Sequence, residues 1–263
     1  MQIDLLLDKV PLLFLYVIMV VIVFLSIVSG FGLGSYIRRC KKRENEAPIG
    51  TIVGAMLGLL AFILAFTFGM AASRFDARKQ LLLDEANAIG TAFLRTDFLA
   101  EPQGTEARKL LRKYVDVRVE GVLHPEKLPQ ALVDSEVLHQ RLWSQVTALS
   151  RQTNNPVLLG LYIQSLNEVI DLHAKRVTVG LQYRIPGSIW LALCFVTILT
   201  MWAVGYNFAI NGRGSFLISL VLALAFSAIT FLIADLDRGA EGLLKVSQRP
   251  MIELQQQLSP SAK

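Results

Sequence analysis

Four stretches of the sequence run for more than twenty positions without a charged residue, at 11–36, 48–73, 186–209 and 214–234. A helix needs about 20 apolar residues to cross a hydrocarbon core about 30 Å thick. Inside that core only helices and closed barrels satisfy their own backbone polar groups, and runs of this length suit helices. The sequence therefore predicts four membrane spans. The composition agrees, being 53% hydrophobic with a mean hydropathy of +0.49, where soluble chains hold roughly 45–50% apolar residues. A signal peptide is the competing reading of the first run. Its apolar stretch exceeds the usual ~7–15 residues and lacks a small-residue cleavage site, and its lead-in sets Asp4 and Asp8 against Lys9.

The fold class expected is an all-α integral membrane protein with four transmembrane helices and a helical membrane-distal domain inserted between the second and third. Its parts are the first two spans with a short basic loop (1–73), the inserted domain (74–185), the third and fourth spans (186–234) and a C-terminal tail (235–263), whose end at Ser259-Pro260-Ser261 reads as disordered. The short connections, Arg38-Arg39-Cys40-Lys41-Lys42-Arg43 and Asn211-Gly212-Arg213-Gly214, share one side of the membrane. The inserted domain and both termini share the other.

The formal charge of +5 comes from short juxtamembrane groups rather than from one basic face with interleaved aromatics, so it points to a lipid bilayer and not to nucleic acid. Lys and Arg in short loops mark the cytoplasmic side, which would put 38–43 inside and the domain outside. Arg74, Arg78, Lys79, Lys175, Arg176, Arg184, Arg238, Lys245 and Arg249 argue for the reverse. The side of the helical domain is thus open, within a multi-pass protein of the cell inner (plasma) membrane.

In the inserted domain, Asn155-Pro156 has the form of a helix start, an N-cap residue followed by a proline at the first helical position. Leu158, Tyr162, Ser165, Val169 and Leu172 follow at helical spacing. Further helices are expected over 105–119 and 134–152, with Pro125 and Pro129 in the loop between them.

The second span holds the most informative pattern. Gly50, Gly54 and Gly58 lie four apart on one face, where small residues let membrane helices approach closely. On a second face Phe62, Phe66, Gly69, Ser73, Asp76, Gln80, Asp84, Asn87, Thr91 and Arg95 step by threes and fours, so one stripe passes from aromatic to polar if the helix is unbroken through Gly90. A neighbouring face carries Phe75, Leu82, Ile89 and Phe93 for burial. Copies of such a helix around an axis would form a constriction at Phe62 and Phe66, followed by a polar vestibule from Gly69 to Arg95. A solvated face on an ordinary amphipathic helix accounts for 76–95 equally well.

Residues for catalysis are not apparent. His124, His139 and His173 lack carboxylate or cysteine partners at ligand spacing, and Cys40 and Cys194 form neither a disulfide framework nor a thiolate cage. Asp235-Leu236-Asp237 has a metal-motif look, but carboxylates at the end of a span are more often solvated or paired with a neighbour such as Arg238. Neither a phosphate loop nor a nucleophile elbow occurs. No cofactor, metal or enzymatic activity is expected.

The run Gly50-Thr-Ile-Val-Gly-Ala-Met-Leu-Gly-Leu-Leu-Ala-Phe-Ile-Leu-Ala-Phe-Thr-Phe-Gly, with Arg74-Phe-Asp-Ala-Arg, Asp84-Glu-Ala-Asn-Ala-Ile-Gly-Thr-Ala, Asp235-Leu-Asp-Arg and Val246-Ser-Gln-Arg-Pro, resembles the bestrophin-like bacterial membrane proteins. Where that family pattern places a proline after the Asp-Arg pair, this sequence has Gly239. The more distant likeness to true bestrophins implies a homopentameric anion channel whose second helices line the pore with aromatic residues, the positions matched by Phe62 and Phe66, and whose helical domain is cytoplasmic. The carboxylates of Asp76 and Asp84 lean instead to cations, since acidic rings favour them. The expectation is a homo-oligomeric ion channel handling inorganic ions. The alternative is a non-conducting scaffold or sensor whose helical domain binds a protein partner.

Overall fold

The computed structural model describes residues 11–40, 49–150, 155–212, 214–239 and 242–259. Asp4, Asp8, Lys9, the basic residues 41–43, Pro48, Gln152, Arg213, Pro260 and Ser261 lie outside the described residues.

The described chain is helical: α1 (Leu12–Cys40), α2 (Ile49–Arg95), α3 (Gln103–Leu123), α4 (Leu128–Ser150), α5 (Pro156–Val177), α6 (Gly187–Asn211), α7 (Phe216–Asp237) and α8 (Arg249–Leu258). Among the described residues four helices are long and apolar enough to cross a membrane, and they fall on the four uncharged runs. α2 continues through Gly90 for 47 residues, about 70 Å of rise and more than a bilayer core requires.

Two compact units result, one of Met1–Phe75 with Arg184–Leu244 and the other of Asp76–Tyr183 with Lys245–Lys263. The span unit packs α1, the first part of α2, α6 and α7 around Val23, Ile27, Leu60, Leu64, Leu193, Met201, Ala223 and Ile233. Close approach is set by glycines on α1 and α6. A Cβ at Gly30 would collide with the Trp202 carbonyl oxygen, one at Gly205 with that of Ile27, and one at Gly34 would stand 2.8 Å from the Ala209 Cβ. These are small residues at four-residue spacing, the arrangement that brings helix backbones together in lipid. Three hydroxyls within the spans bond to their own helix and so are satisfied in the apolar interior: Ser26 to the Ile22 carbonyl at 2.8 Å, Thr67 to Ile63 at 2.7 Å and Thr197 to Leu193 at 2.7 Å. The buried hydroxyls of Thr200 and Ser227 have no hydrogen-bond partner among the described residues. α6 ends at Gly212, whose φ of 68° suits glycine, and Arg38 donates to the Ala209 carbonyl beside it at 3.1 Å.

The helical unit packs α3, α4, α5 and α8 with the second part of α2. α2 buries Leu82, Ala86, Ile89 and Ala92, with Phe93 partly buried against the same core. α5 starts as the sequence indicates, with the Asn155 side chain accepting the Leu158 N–H at 3.3 Å and Pro156 in the first turn. α3 outruns the expected 105–119 at both ends, and α4 starts before the expected 134. Pro129, expected in the loop, lies in the first turn of α4, where its missing N–H costs nothing. The region read as a C-terminal tail contains α8. Its Met251, Leu254 and Leu258 fall on one face and are buried, enough to dock a ten-residue helix that polar side chains otherwise surround.

Candidate functional site

The stripe on α2 is uncovered along its length. Phe62 and Phe66 are 69% and 62% exposed; Gly69, Ser73, Asp76, Gln80, Asn87 and Thr91 are exposed, and Asp84 and Arg95 half-exposed. The opposite side holds the buried Leu60, Leu64, Thr67 and Ala71 in the span unit and Leu82, Glu85 and Ile89 in the helical unit. Local contacts tune the polar part. Gln80 donates to Asp84 at 2.8 Å, Lys79 stands 3.9 Å from Asp76, and Arg95 donates to the Leu161 carbonyl at 2.6 Å. Gly50, Gly54 and Gly58 are exposed too, and a Cβ added at any of them would meet nothing within 4 Å. Within the chain, then, the close helix approach belongs to Gly30, Gly34 and Gly205 rather than to this trio.

A second constellation, not anticipated from sequence, lies inside the helical unit. Glu85 of α2 is fully buried. Tyr114 of α3 donates its hydroxyl hydrogen to Glu85 Oε1 at 2.7 Å, Arg118 Nε lies 3.1 Å from the same oxygen, and Arg176 of α5 donates to Oε2. Arg176 also donates to the Gln248 side-chain carbonyl at 3.0 Å. His173 Nδ1 is 3.0 Å from the Tyr114 hydroxyl, and the His139 ring of α4 meets the His173 ring edge-on at 4.9 Å between centroids. His139 and His173, which sequence spacing left without partners, are thus brought together beside a carboxylate. Burial alone would push the Glu85 carboxyl up, but the guanidiniums of Arg118 and Arg176 and the Tyr114 hydroxyl outweigh it and hold it at about 2. Burial holds both His139 and His173 down to about 4. The node is an ionised carboxylate clamped by two cations, with two neutral imidazoles at its side. Among the described residues no group of three or more His, Cys, Asp or Glu is placed to hold a metal.

The signal for this node was a set of charged residues in apolar register. Arg118 follows Leu111, Tyr114 and Val115 on the buried face of α3, and His173 and Arg176 follow Val169 and Leu172 on that of α5.

Asp235 and Asp237, expected to be solvated or paired with a neighbour, are buried and bound largely to backbone. Asp235 accepts the N–H groups of Leu243 and Leu244 at 2.8 and 3.1 Å. Asp237 accepts the Ile185 N–H at 3.0 Å and pairs with Arg74 at 3.4 Å, while Arg184 donates to its carbonyl oxygen. These carboxylates fasten the end of α7 to the start of α6, to α2 and to the chain that follows.

Four spanning helices and a helical unit closed by a C-terminal helix define a multi-pass membrane protein with the fold of the bestrophin channels. The sequence matches the bestrophin-like domain over residues 21–251, and the chain belongs to that family. Two crystallised variants of a bacterial bestrophin homologue from Klebsiella pneumoniae are similar in structure, each 13% identical. One has a TM-score of 0.64 and covers 95% of this chain and 99% of its own; the other has 0.65, with 94% and 97%. A crystallised variant of a membrane protein reaches 0.66 at 14% identity, over 94% of this chain and 95% of that one. At such identities the likeness concerns the fold. No curated protein matches the sequence.

Proposed function

We propose that this chain is one protomer of a homo-oligomeric ion channel whose pathway is lined by α2. The observation that carries this reading is the exposure of the whole stripe from Phe62 to Arg95 on a helix whose other side is buried. Large aromatic rings on a spanning helix face either lipid or another helix copy, and lipid alone gives no reason for the same face to continue as a polar stripe beyond the span. Around an axis, Phe62 and Phe66 form a hydrophobic constriction that gates by excluding water. Gly69, Ser73, Asp76, Gln80, Asp84, Asn87, Thr91 and Arg95 line the wider polar part. The exposed Gly50, Gly54 and Gly58 then serve contact between copies of α2, with a pentamer as the family's implied assembly and the inner membrane as its place. Asp76 and Asp84 set a slight preference for cations.

Single cysteines along the stripe test the reading, in a background carrying Cys40→Ser and Cys194→Ala. Thiol reagents applied to Phe66→Cys, Ser73→Cys or Asn87→Cys should alter the current. Modification that leaves the current unchanged at all three positions would remove α2 from the pathway.

A further inference from the structure

We propose that His139 and His173 form an acid-operated release, in which proton uptake charges both imidazoles beside Arg118 and Arg176, loosens α3, α4 and α5, and frees the C-terminal segment tied to Arg176 through Gln248. Every element packed around the two rings contributes a defined group: Glu85 from α2, Tyr114 and Arg118 from α3, His139 from α4, His173 and Arg176 from α5, and the neutral Gln248 from the segment leading into α8. One carboxylate facing two guanidiniums becomes one carboxylate facing four cations. Glu85 cannot absorb the added charge, because both its oxygens are already engaged by Arg118, Arg176 and Tyr114.

The hydrogen bonds fix where the protons go. The single Tyr114 hydroxyl hydrogen points to Glu85, so the His173 Nδ1 that approaches the Tyr114 oxygen carries the hydrogen. Its open lone pair is therefore on Nε2, and an arriving proton lands there. His139 Nε2 is buried with no hydrogen-bond partner among the described residues, so a proton bound there brings a cation and a donor into a site that offers no acceptor. Burial holds both rings neutral down to about 4, which places the transition between the ordinary imidazole range and that value. The C-terminal segment is the part released first. It is a single short helix whose polar tie to this node is the Arg176–Gln248 bond, and short docked elements open at lower free energy than a bundle core.

The test uses the full chain in lipid nanodiscs and makes no use of ion conduction. Backbone hydrogen exchange, corrected for the intrinsic effect of pH, should show protection of residues 249–258 and 162–176 falling by roughly tenfold or more per pH unit between about 6 and 4, with the spans unchanged. The double variant His139→Phe with His173→Gln should keep its protection over that window. Imidazole C2-hydrogen exchange on the unaltered chain reads each histidine separately and requires no variant to fold. His139 and His173 should titrate well below the ordinary imidazole value of about 6.5. Titration of both at that ordinary value, wild-type protection that survives to about pH 4, or an identical acid loss in a folded double variant would each overturn the proposal.

Discussion

The Tyr114 hydroxyl donates to the Glu85 carboxylate at 2.7 Å with both side chains fully buried, and this bond joins α3 to the long helix α2. Glu85 also anchors Arg118 and Arg176, so the two ends of the bond differ in what their loss exposes. Tyr114→Phe takes away the hydrogen bond to Glu85 and the one accepted from His173 Nδ1, and should destabilise the helical unit by about 1–3 kcal/mol. Glu85→Ala leaves two guanidiniums in a buried site and should cost about 3–5 kcal/mol. Thermal unfolding of both variants, followed by fluorescence-detected size exclusion, checks the order. Equal losses would mean that the ion pairs contribute nothing beyond the hydroxyl.

Acid should weaken the helical unit in two stages. His139 and His173 are held down to about 4 in the folded chain, whereas an unfolded imidazole titrates at about 6.5. The unfolded state therefore binds more protons between those values. The stability from keeping the rings neutral is complete above about 6.5 and is lost as pH falls to about 4, up to about 3 kcal/mol for each ring. Glu85, held at about 2 against an ordinary carboxyl value of 4.5, gives stability that is present above about 4.5 and lost below it as pH falls toward about 2. Unfolding curves across pH should show the first loss reduced by the His139→Phe, His173→Gln pair and the second retained. A flat profile from neutrality to about pH 4 would contradict the first stage.

Glycines at the same four-residue spacing should behave differently. Gly30→Ala or Gly205→Ala puts a methyl group against the backbone of the facing helix and should destabilise the span unit by about 1–3 kcal/mol. Gly54→Ala meets nothing within the protomer, so it should leave protomer folding intact while shifting the oligomer toward smaller species. Native mass spectrometry beside thermal unfolding separates the two effects. An unchanged oligomer in Gly54→Ala would mean that α2 does not meet another copy at that position.

Neutralising the stripe should move ion preference. Asp76→Asn with Asp84→Asn removes the carboxylates while keeping their shape and should shift the reversal potential under a salt gradient toward anions. The change follows from charge alone, since Gln80 can still donate to the amide oxygen at 84. A reversal potential that stays fixed would take these two residues out of the selectivity-determining region.

The spans were legible because absence of charge over more than twenty positions has one structural solution in lipid, and the start of α5 was legible because Asn155 and Pro156 act locally. The Glu85 node was not, since Tyr114, Arg118 and Arg176 reach it from 29, 33 and 91 residues away. Only their position among apolar neighbours on α3 and α5 betrays them. The glycine pattern shows a different limit. Gly30 with Gly34 and Gly50 with Gly54 look alike in sequence, and which pair meets a helix of the same chain is decided by how α1 and α6 come together. Asp235 and Asp237 read as end-of-span carboxylates because their backbone partners, at 243, 244 and 185, carry no sequence signal as hydrogen-bond donors.

The channel reading is tested most directly by unitary currents from the purified oligomer in planar bilayers, recorded for the unaltered chain and for Phe66→Ala. The account predicts discrete currents in the unaltered protein and a larger conductance once the ring at 66 is removed from the constriction. Well-folded oligomers that incorporate into the bilayer and remain silent, or currents indifferent to Phe66→Ala, would contradict it.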